Sequence, residues 1–174
     1  MPTSHPMLIT PVATQILQLQ PKSVLDIGVG FGKWGSLSRE YTDVWNQREV
    51  KDYETRIDGI EIFPNYRNPN WINYDEIHMG DAQQILPTLE SYDLILFLAV
   101  LEHIEKAEAL EFLDVCRSKC KTLIFSYTNT AQGAAFGNAN ETHLSTWAPE
   151  DFSFPIELLA QRKQSFVYKT GGVS

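Results

Sequence analysis

Three glycines at alternate positions follow a short apolar segment and could bind a small ligand through their backbone. Gly28, Gly30 and Gly32 come directly after residues 24–27, which have the apolar, partly β-branched character of a buried strand. Glycine allows positive φ and lets a ligand approach without meeting a Cβ atom. Asp26 lies near the carboxyl end of the strand, where open α/β sheets form their ligand-binding crevice. The spacing therefore predicts a small-molecule site between this strand and the following helix.

The glycine spacing alone leaves the identity of the ligand open. The sequence fits Gly30-x-Gly32-x-x-Gly35, a fingerprint of dinucleotide-binding proteins. A dinucleotide-binding fold has its first glycine at the strand end, and in this chain that residue is Gly28. Counted from Gly28, the third position of the fingerprint is occupied by Lys33 instead of glycine. This register disfavours NAD, so an NAD-binding oxidoreductase is the less favoured alternative. A tight turn that binds no ligand is the remaining interpretation.

A carboxylate follows the next predicted strand. Glu61 lies near the carboxyl end of residues 56–62, and in nucleoside-binding α/β folds an acidic side chain there accepts hydrogen bonds from the ribose hydroxyls. Its distance from the glycines exceeds the usual spacing of about 20 residues, and the charged segment 46–54 accounts for the surplus. We predict that Glu61 binds ribose, the alternative being a solvated glutamate.

Three motifs follow one another along the chain: Asp-x-Gly-x-Gly-x-Gly over residues 26–32, Gly80-Asp81-Ala82, and Leu101-Glu102-His103. The first resembles the first motif of class I S-adenosylmethionine-dependent methyltransferases, and the last is characteristic of a large subset of that family. Gly80-Asp81-Ala82 looks like the motif that binds adenine, which implies S-adenosylmethionine as the cofactor; Asp81 could also cap the following helix. The predicted cofactor-binding residues are Asp26, Gly28, Gly30, Gly32, Glu61, Ile62, Asp81, Ala82 and Leu98.

Two histidines and a glutamate are the candidate catalytic residues. The resemblance implies methyl transfer by in-line displacement, for which the protein must align the reactants and exclude water. A hydroxyl or ammonium acceptor must also lose a proton, and histidine is suited to accept it. The irregular segment 126–146 carries His143 and is expected to meet Glu102 and His103. We predict these three as catalytic, with His103 or His143 as the base, although each histidine could only brace its loop.

The same three residues suggest an alternative with a metal ion. The metal-dependent small-RNA 2′-O-methyltransferases use Glu-x-x-Glu-His and a later histidine, and Glu102-His103 with His143 is similar to that arrangement. Ala99 stands where the first glutamate would be, and the loss of an oxygen ligand weakens a magnesium site. We predict no metal, and keep metal-assisted 2′-O-methylation of RNA as an alternative to transfer onto a small-molecule oxygen or nitrogen. A protein that binds the cofactor without transferring its methyl group is a further alternative.

The elements that must position these residues are strands alternating with helices. The apolar run 94–98 is typical of a central parallel strand, and helical periodicity covers 33–44 and 107–118. Residues 156–169 fit either an antiparallel hairpin or a helix over 157–164. The resemblance implies an α/β, Rossmann-like class I methyltransferase fold, with a mostly parallel seven-stranded sheet of order 3-2-1-4-5-7-6 and helices on both faces.

Length and charge limit the remaining possibilities. The 174 residues predict a single domain, with a loose lead-in over 1–9, disorder over 171–174, and a loop that exposes Tyr66 and Trp71. The net charge of −8 disfavours a nucleic-acid partner and favours a small-molecule substrate. No apolar run reaches about 18 residues and no leader is visible, so we expect a cytoplasmic protein without membrane spans. The two cysteines are too few for a zinc site or a disulfide framework, and the oligomeric state is left open.

Overall fold

Seven strands and four α-helices make up the regular elements of the computed structural model, which describes residue 3 and residues 5–173. The strands are β1 (Ser23–Ile27), β2 (Arg56–Glu61), β3 (Glu76–Met79), β4 (Tyr92–Phe97), β5 (Cys120–Thr128), β6 (Glu157–Arg162) and β7 (Ser165–Gly171). The helices are α1 (Ile9–Leu19), α2 (Lys33–Arg39), α3 (Ala82–Ile85) and α4 (Lys106–Ser118).

All seven strands form one sheet of order β3-β2-β1-β4-β5-β7-β6. The first five strands run parallel to one another, and β7 is antiparallel to both β5 and β6. The predicted fold class and strand order are therefore confirmed. Because β1, β2 and β4 are parallel neighbours, their carboxyl ends meet at one edge of the sheet, where a ligand-binding crevice is expected.

The two faces of the sheet bury separate apolar clusters under helices. On one face Ile95 and Phe97 of β4 pack with Phe112 of α4. On the other face Leu94 of β4 packs with Ile16 of α1. Successive side chains of a strand point to opposite faces, so the continuous apolar run of β4 supplies both clusters. This confirms the prediction of a central strand that is covered on both sides.

The helix predicted over 33–44 changes its geometry halfway along. α2 ends at Arg39 and a π-helical turn follows over Glu40–Val44, in which the N–H of Trp45 donates to the carbonyl of Glu40 at 2.8 Å. The wider turn directs the buried Asp43 at the Arg39 guanidinium, with Nη1 and Oδ2 2.7 Å apart. Side-chain periodicity does not reveal this buried ion pair, so the sequence predicted an ordinary helix.

The chain termini are more ordered than the sequence predicted. Gly171 pairs with Thr122 at the end of β7, and the N–H groups of Gly172 and Val173 donate to backbone carbonyls. Within the predicted lead-in 1–9, Pro6–Leu8 forms a 3-10 turn whose Leu8 is buried. Predicted disorder over 171–173 is therefore wrong; Ser174 and residues 1, 2 and 4 lie outside the described residues.

The hairpin at the end of the chain decides between two predictions. β6 and β7 pair antiparallel across a two-residue turn, as the hairpin prediction required, and no helix forms within residues 157–164. Cys116 in α4 and Cys120 at the start of β5 are buried free thiols. None of the helices in the described part of the chain has the length and apolar character needed to cross a membrane.

Candidate functional site

A cavity of about 300 Å³ lies at the carboxyl ends of β1, β2 and β4. Gly28 and Gly30 follow β1 on its wall, Glu61 ends β2, and Leu98 and His103 follow β4. A volume of this size is at the lower end of the range for small-molecule sites. The cavity occupies the place at which the sequence predicted ligand binding.

The glycine loop has a backbone that side chains would disturb. Gly28, Gly30 and Gly32 have φ values of 83°, 52° and 80°, which L-residues rarely adopt. A Cβ on Gly28 would also lie 2.4 Å from Cγ2 of Val100, which lines the same cavity. The loop therefore requires glycine both for its turns and for the close packing of the segment after β4. Gly32 itself is not part of the cavity wall.

Glu61 holds the glycine loop from the adjacent strand. Its Oε2 accepts a hydrogen bond from the N–H of Gly30 at 2.8 Å, and its Oε1 accepts one from Phe63 at 2.7 Å. The side chain is buried and lines the cavity. Burial raises the pKa of this carboxyl, while the Gly30 and Phe63 hydrogen bonds lower it. Each oxygen keeps acceptor capacity for a ligand hydroxyl, because a carboxylate offers about four lone-pair positions.

Asp26 faces away from the cavity. Its Oδ2 accepts a hydrogen bond of 2.6 Å from the hydroxyl of Tyr74, and its Oδ1 has no hydrogen-bond partner. The Tyr74 hydroxyl in turn accepts one from the N–H of Gly35 at 3.0 Å. Asp26 is thus brought to the loop, but not to the cavity wall. Its carboxylate supports the first turn of α2 through Tyr74.

The remaining predicted cofactor-binding residues lie on the cavity wall. Asp81 and Ala82 begin α3, and the Asp81 Oδ1 accepts a hydrogen bond from the N–H of Gln83 at 2.9 Å, so Asp81 is the N-cap. Ile62 is 47% exposed and Leu98 is buried. These residues bring one carboxylate and three apolar side chains to the cavity wall.

The loop after β2 differs from its prediction. Tyr66 is buried, not exposed, and packs between Phe63 and Phe31 at ring-centroid distances of 4.9 and 5.4 Å. Trp71 is partly buried because its indole N–H donates to the carbonyl of Gly30 at 2.9 Å. The glycine loop supplies the polar and aromatic partners that these side chains lack in the local sequence. Tyr66 therefore belongs to the cavity wall.

The segment between β5 and β6 contributes two cavity residues that the sequence analysis missed. Oε1 of the buried Glu141 accepts a hydrogen bond of 2.8 Å from the hydroxyl of Tyr66. The Asn138 amide donates to the same hydroxyl at 3.2 Å. Both residues line the cavity. Their only signal in the sequence is their place in an irregular segment of functional length, in which the prediction selected His143 alone.

The three candidate catalytic residues are brought together. Ligand atoms of Glu102, His103 and His143 all lie within 4.8 Å of one another, and the two imidazole rings meet edge to face at a centroid distance of 4.8 Å. Nδ1 of His103 is 3.1 Å from the carbonyl of Thr142, and Nδ1 of His143 contacts the carbonyl of Thr130. Carbonyl oxygens only accept, so each Nδ1 carries a hydrogen and each Nε2 keeps a lone pair in the neutral ring.

Only one of these three residues lies on the cavity wall itself. His103 lines the cavity, and Glu102 and His143 stand behind it. Glu102 is 2% exposed and its Oε2 has no hydrogen-bond partner. Burial raises the pKa of the Glu102 carboxyl to about 8, and burial lowers the pKa of His103. The group therefore combines a histidine at the cavity with a buried carboxyl group whose Oε2 has no hydrogen-bond partner.

Comparison with known proteins gives one family match. Residues 8–153 match the family described as methyltransferase domain. No curated protein matches the chain significantly in sequence. The family match covers the glycine loop, Glu61, Asp81 and the Glu102–His103–His143 group.

Solved structures with the same fold share little sequence with the chain. An O-methyltransferase family protein from Burkholderia thailandensis has a TM-score of 0.64 and 10% identity, over 96% of this chain and 57% of the other. The N-terminal domain of EvdMO1, crystallised with SAH and D-fucose, has a TM-score of 0.65 and 14% identity, over 98% of this chain and 85% of the other. Magnesium protoporphyrin IX methyltransferase (ChlM) from Synechocystis PCC 6803, with bound SAM, has a TM-score of 0.62 and 17% identity, over 96% of this chain and 79% of the other. The chain thus spans little more than half of the first of these proteins, and at such identities the likeness establishes the fold.

Proposed function

The chain belongs to the methyltransferase-domain family, and on that premise we propose that it transfers a methyl group from S-adenosylmethionine to an oxygen or nitrogen of a small molecule. The observation that carries this proposal is a single cavity whose wall includes Gly30, Glu61 and His103. Two structural neighbours that hold SAH or SAM support the choice of cofactor. The family match favours methyl transfer over the dinucleotide alternative.

The cavity residues fit an adenosyl group. The backbone at Gly28 leaves no room for a Cβ beside Val100, and the buried Glu61 keeps acceptor capacity beside Gly30. In the proposed complex Glu61 accepts hydrogen bonds from the ribose hydroxyls and Asp81 meets the adenine amino group. Ile62 and Leu98 would cover the apolar faces of the base. When bound, S-adenosylmethionine supplies a methyl group that its sulfonium already activates.

The work left to the protein is alignment, exclusion of water and removal of a proton. Nδ1 of His103 is used by the carbonyl of Thr142, so Nε2 carries the lone pair, and His103 lines the cavity. His103 is therefore the proposed base. The carbonyl of Glu102 accepts hydrogen bonds from the N–H groups of Leu144 and Ser145 at 2.8 and 3.2 Å. These bonds keep the segment after β5 over the cavity, and Leu144 lines its wall. Water is thereby excluded from that side.

Paired substitutions test the two halves of the proposal. We expect Glu61→Ala to weaken S-adenosylmethionine binding by about 10- to 100-fold, because a buried charged acceptor contributes roughly 1.5–3 kcal/mol. We expect His103→Ala to leave that affinity within about twofold and to lower turnover by about 10²-fold or more. Calorimetry gives the affinities, and formation of S-adenosylhomocysteine with alcohols, phenols, amines and an oligoribonucleotide gives the turnover.

Three results would contradict the proposal. Binding of NAD without S-adenosylmethionine would favour the oxidoreductase. Cofactor binding without transfer to any acceptor in the panel would favour a binding protein. Loss of cofactor affinity in His103→Ala, with unchanged turnover per bound cofactor, would remove His103 from the acceptor side.

The cluster of Glu102, His103 and His143 favours a second form of the same function, in which a divalent metal orients the acceptor. Both Nε2 atoms are available, since each Nδ1 is used by a backbone carbonyl, and this arrangement is common for metal-binding histidines. The buried Oε2 of Glu102 lacks a partner that a cation would supply. Two nitrogens and one oxygen suit zinc, iron or manganese better than magnesium. A bound ion would supply Lewis-acid polarisation of an acceptor oxygen.

Removal of metal tests this second form. If it is correct, elemental analysis of the purified protein finds close to one transition metal per chain, and dialysis against a chelator abolishes turnover until that metal is returned. Glu102→Gln should lower the metal content while S-adenosylmethionine still binds. Unchanged turnover after complete stripping would reject the metal and leave His103 as a simple base.

A further inference from the structure

Glu141 lies on the cavity wall, and the sequence analysis assigned it no role. It is 7% exposed, and Gly30 and His103 line the same wall. Two contacts connect it to the glycine loop: its Oε1 is 2.8 Å from the Tyr66 hydroxyl, and the Tyr66 ring packs on Phe31, the residue after Gly30. Glu141 therefore belongs to the part of the cavity wall that adjoins the glycine loop.

The hydrogen bonds around Glu141 fix its position. The Tyr66 hydroxyl accepts a hydrogen bond from the amide of Asn138 at 3.2 Å, so its own hydrogen is directed at the Glu141 carboxylate. The backbone carbonyl of Glu141 accepts a hydrogen bond of 2.7 Å from the side chain of Gln132. Burial raises the pKa of Tyr66 to about 12, with the neighbouring Glu141 adding to the effect, so the hydroxyl stays a donor. A carboxylate held in this way cannot turn away from the cavity at low cost.

The charges on the cavity wall favour a cationic ligand. Among the residues that the structure describes, five carboxylate side chains and one ammonium line the cavity: Glu61, Asp81, Glu105, Glu108, Glu141 and Lys33. Glu105 and Glu108 are exposed at the mouth, where water and salt screen them. Glu61 and Glu141 are the two that are buried, so water and salt screen their charges least.

We propose that Glu141 recognises the positive charge of the methyl donor. This inference rests on the proposed function and extends it to a discrimination between two forms of the cofactor. The donor carries a sulfonium cation; when the S–CH₃ bond breaks, its electron pair stays on sulfur and the product is an uncharged thioether. A buried carboxylate attracts the first form and gains nothing from the second, because charge interactions are strong where water is excluded. Glu141 thus favours binding of the substrate cofactor and release of its product.

Ligand binding tests this inference without knowledge of the acceptor. Calorimetry compares S-adenosylmethionine, S-adenosylhomocysteine and sinefungin, which carries an ammonium group in place of the sulfonium methyl. We expect Glu141→Gln to weaken both cationic ligands about tenfold, equal to about 1.4 kcal/mol, and to leave the thioether within twofold. Glutamine still accepts from Tyr66, so retained thioether affinity also shows that the cavity has formed.

Two further variants keep the inference falsifiable. Glu108→Gln, at the exposed mouth, is the matched control and should leave the ratio of sulfonium to thioether affinity unchanged. Tyr66→Phe removes the donor that holds Glu141 and should lower that ratio by a smaller factor. An unchanged ratio in both Glu141→Gln and Tyr66→Phe, or an equal loss in Glu108→Gln, would overturn the inference. If the wild-type protein binds none of the three ligands, the proposed function itself fails and this inference fails with it.

Discussion

Asp26 is a buried acid whose environment disfavours its charge. Burial raises its pKa from 3.8 to about 7, against the opposing effect of the Tyr74 hydrogen bond. The native protein therefore holds this proton at pH values where the unfolded chain, with a pKa near 3.8, has released it. The contribution of Asp26 to stability is complete below about pH 4 and is lost as the pH rises through 7.

The loss of this stabilisation with rising pH leads to a prediction for Asp26→Asn, whose side chain carries no charge at any pH. The unfolding free energy of the wild-type protein, relative to the variant, should fall between pH 4 and pH 8 by as much as about 4 kcal/mol, the value for a pKa change from 3.8 to about 7. Urea denaturation of both proteins across this range measures the difference. A difference that does not vary with pH would show that Asp26 is ionised in the native protein.

Side chains that act through long-range partners were the hardest residues to predict. Tyr66 was expected to be exposed, and Glu141 was not selected, because a carboxylate in an irregular segment is usually solvated. Their hydrogen bond joins residues 75 positions apart, and the local sequence of either residue carries no sign of the other. The strand-end Glu61 could be selected, because strand ends converge at one edge in every sheet of this class.

At the level of elements, the packing of α2 on the loop after β2 depends on one missing side chain. A Cβ on Gly35 would lie 2.2 Å from Cζ of Tyr74. The ring cannot yield easily, because its hydroxyl is bonded to both Asp26 and the N–H of Gly35. This glycine, which the sequence also allowed as part of a dinucleotide fingerprint, has a packing reason of its own.

Gly35→Ala should therefore destabilise the protein, despite the higher helix propensity of alanine. We expect a loss of about 1–3 kcal/mol in unfolding free energy, the usual cost of overpacking. Gly133→Ala is the control, since nothing lies within 4 Å of a Cβ there, and it should change stability by less than about 0.5 kcal/mol. Equal stabilities of the two variants, measured in urea, would mean that Tyr74 moves freely.

Most regular elements were predicted closely, and the exceptions depend on contacts between distant residues. The observed bounds of β1, β4 and α4 lie within two residues of the predicted ranges 24–27, 94–98 and 107–118. The π-helical turn after α2 carries Asp43, which pairs with Arg39 and also accepts hydrogen bonds from the N–H groups of residues 54–55, and these partners are not visible in the local sequence. A hairpin and a helix were both compatible with residues 157–164, and pairing of β7 with β5 decided between them.

At the scale of the whole molecule, the site has one half that follows from topology and one that does not. The half that we propose for the nucleoside comes from the ends of neighbouring parallel strands, and motif order along the chain was sufficient to select its residues. The other half is formed by residues 129–148, which have little regular structure and no hydrophobic period. Its position depends on contacts such as those of Glu102 with Leu144 and Ser145, which only the assembled fold provides.

The burial of both cysteines makes the protein convenient for site-specific labelling. Cys116 and Cys120 are the two cysteines of the chain, and burial raises the pKa of Cys120 to about 12 and that of Cys116 well above its usual value. Neither thiol supplies the accessible thiolate with which maleimide and iodoacetamide dyes react. A cysteine at the exposed Ala134, within the segment that covers the cavity, would accept one fluorophore in the otherwise unaltered chain. Its emission would then report ligand entry in real time.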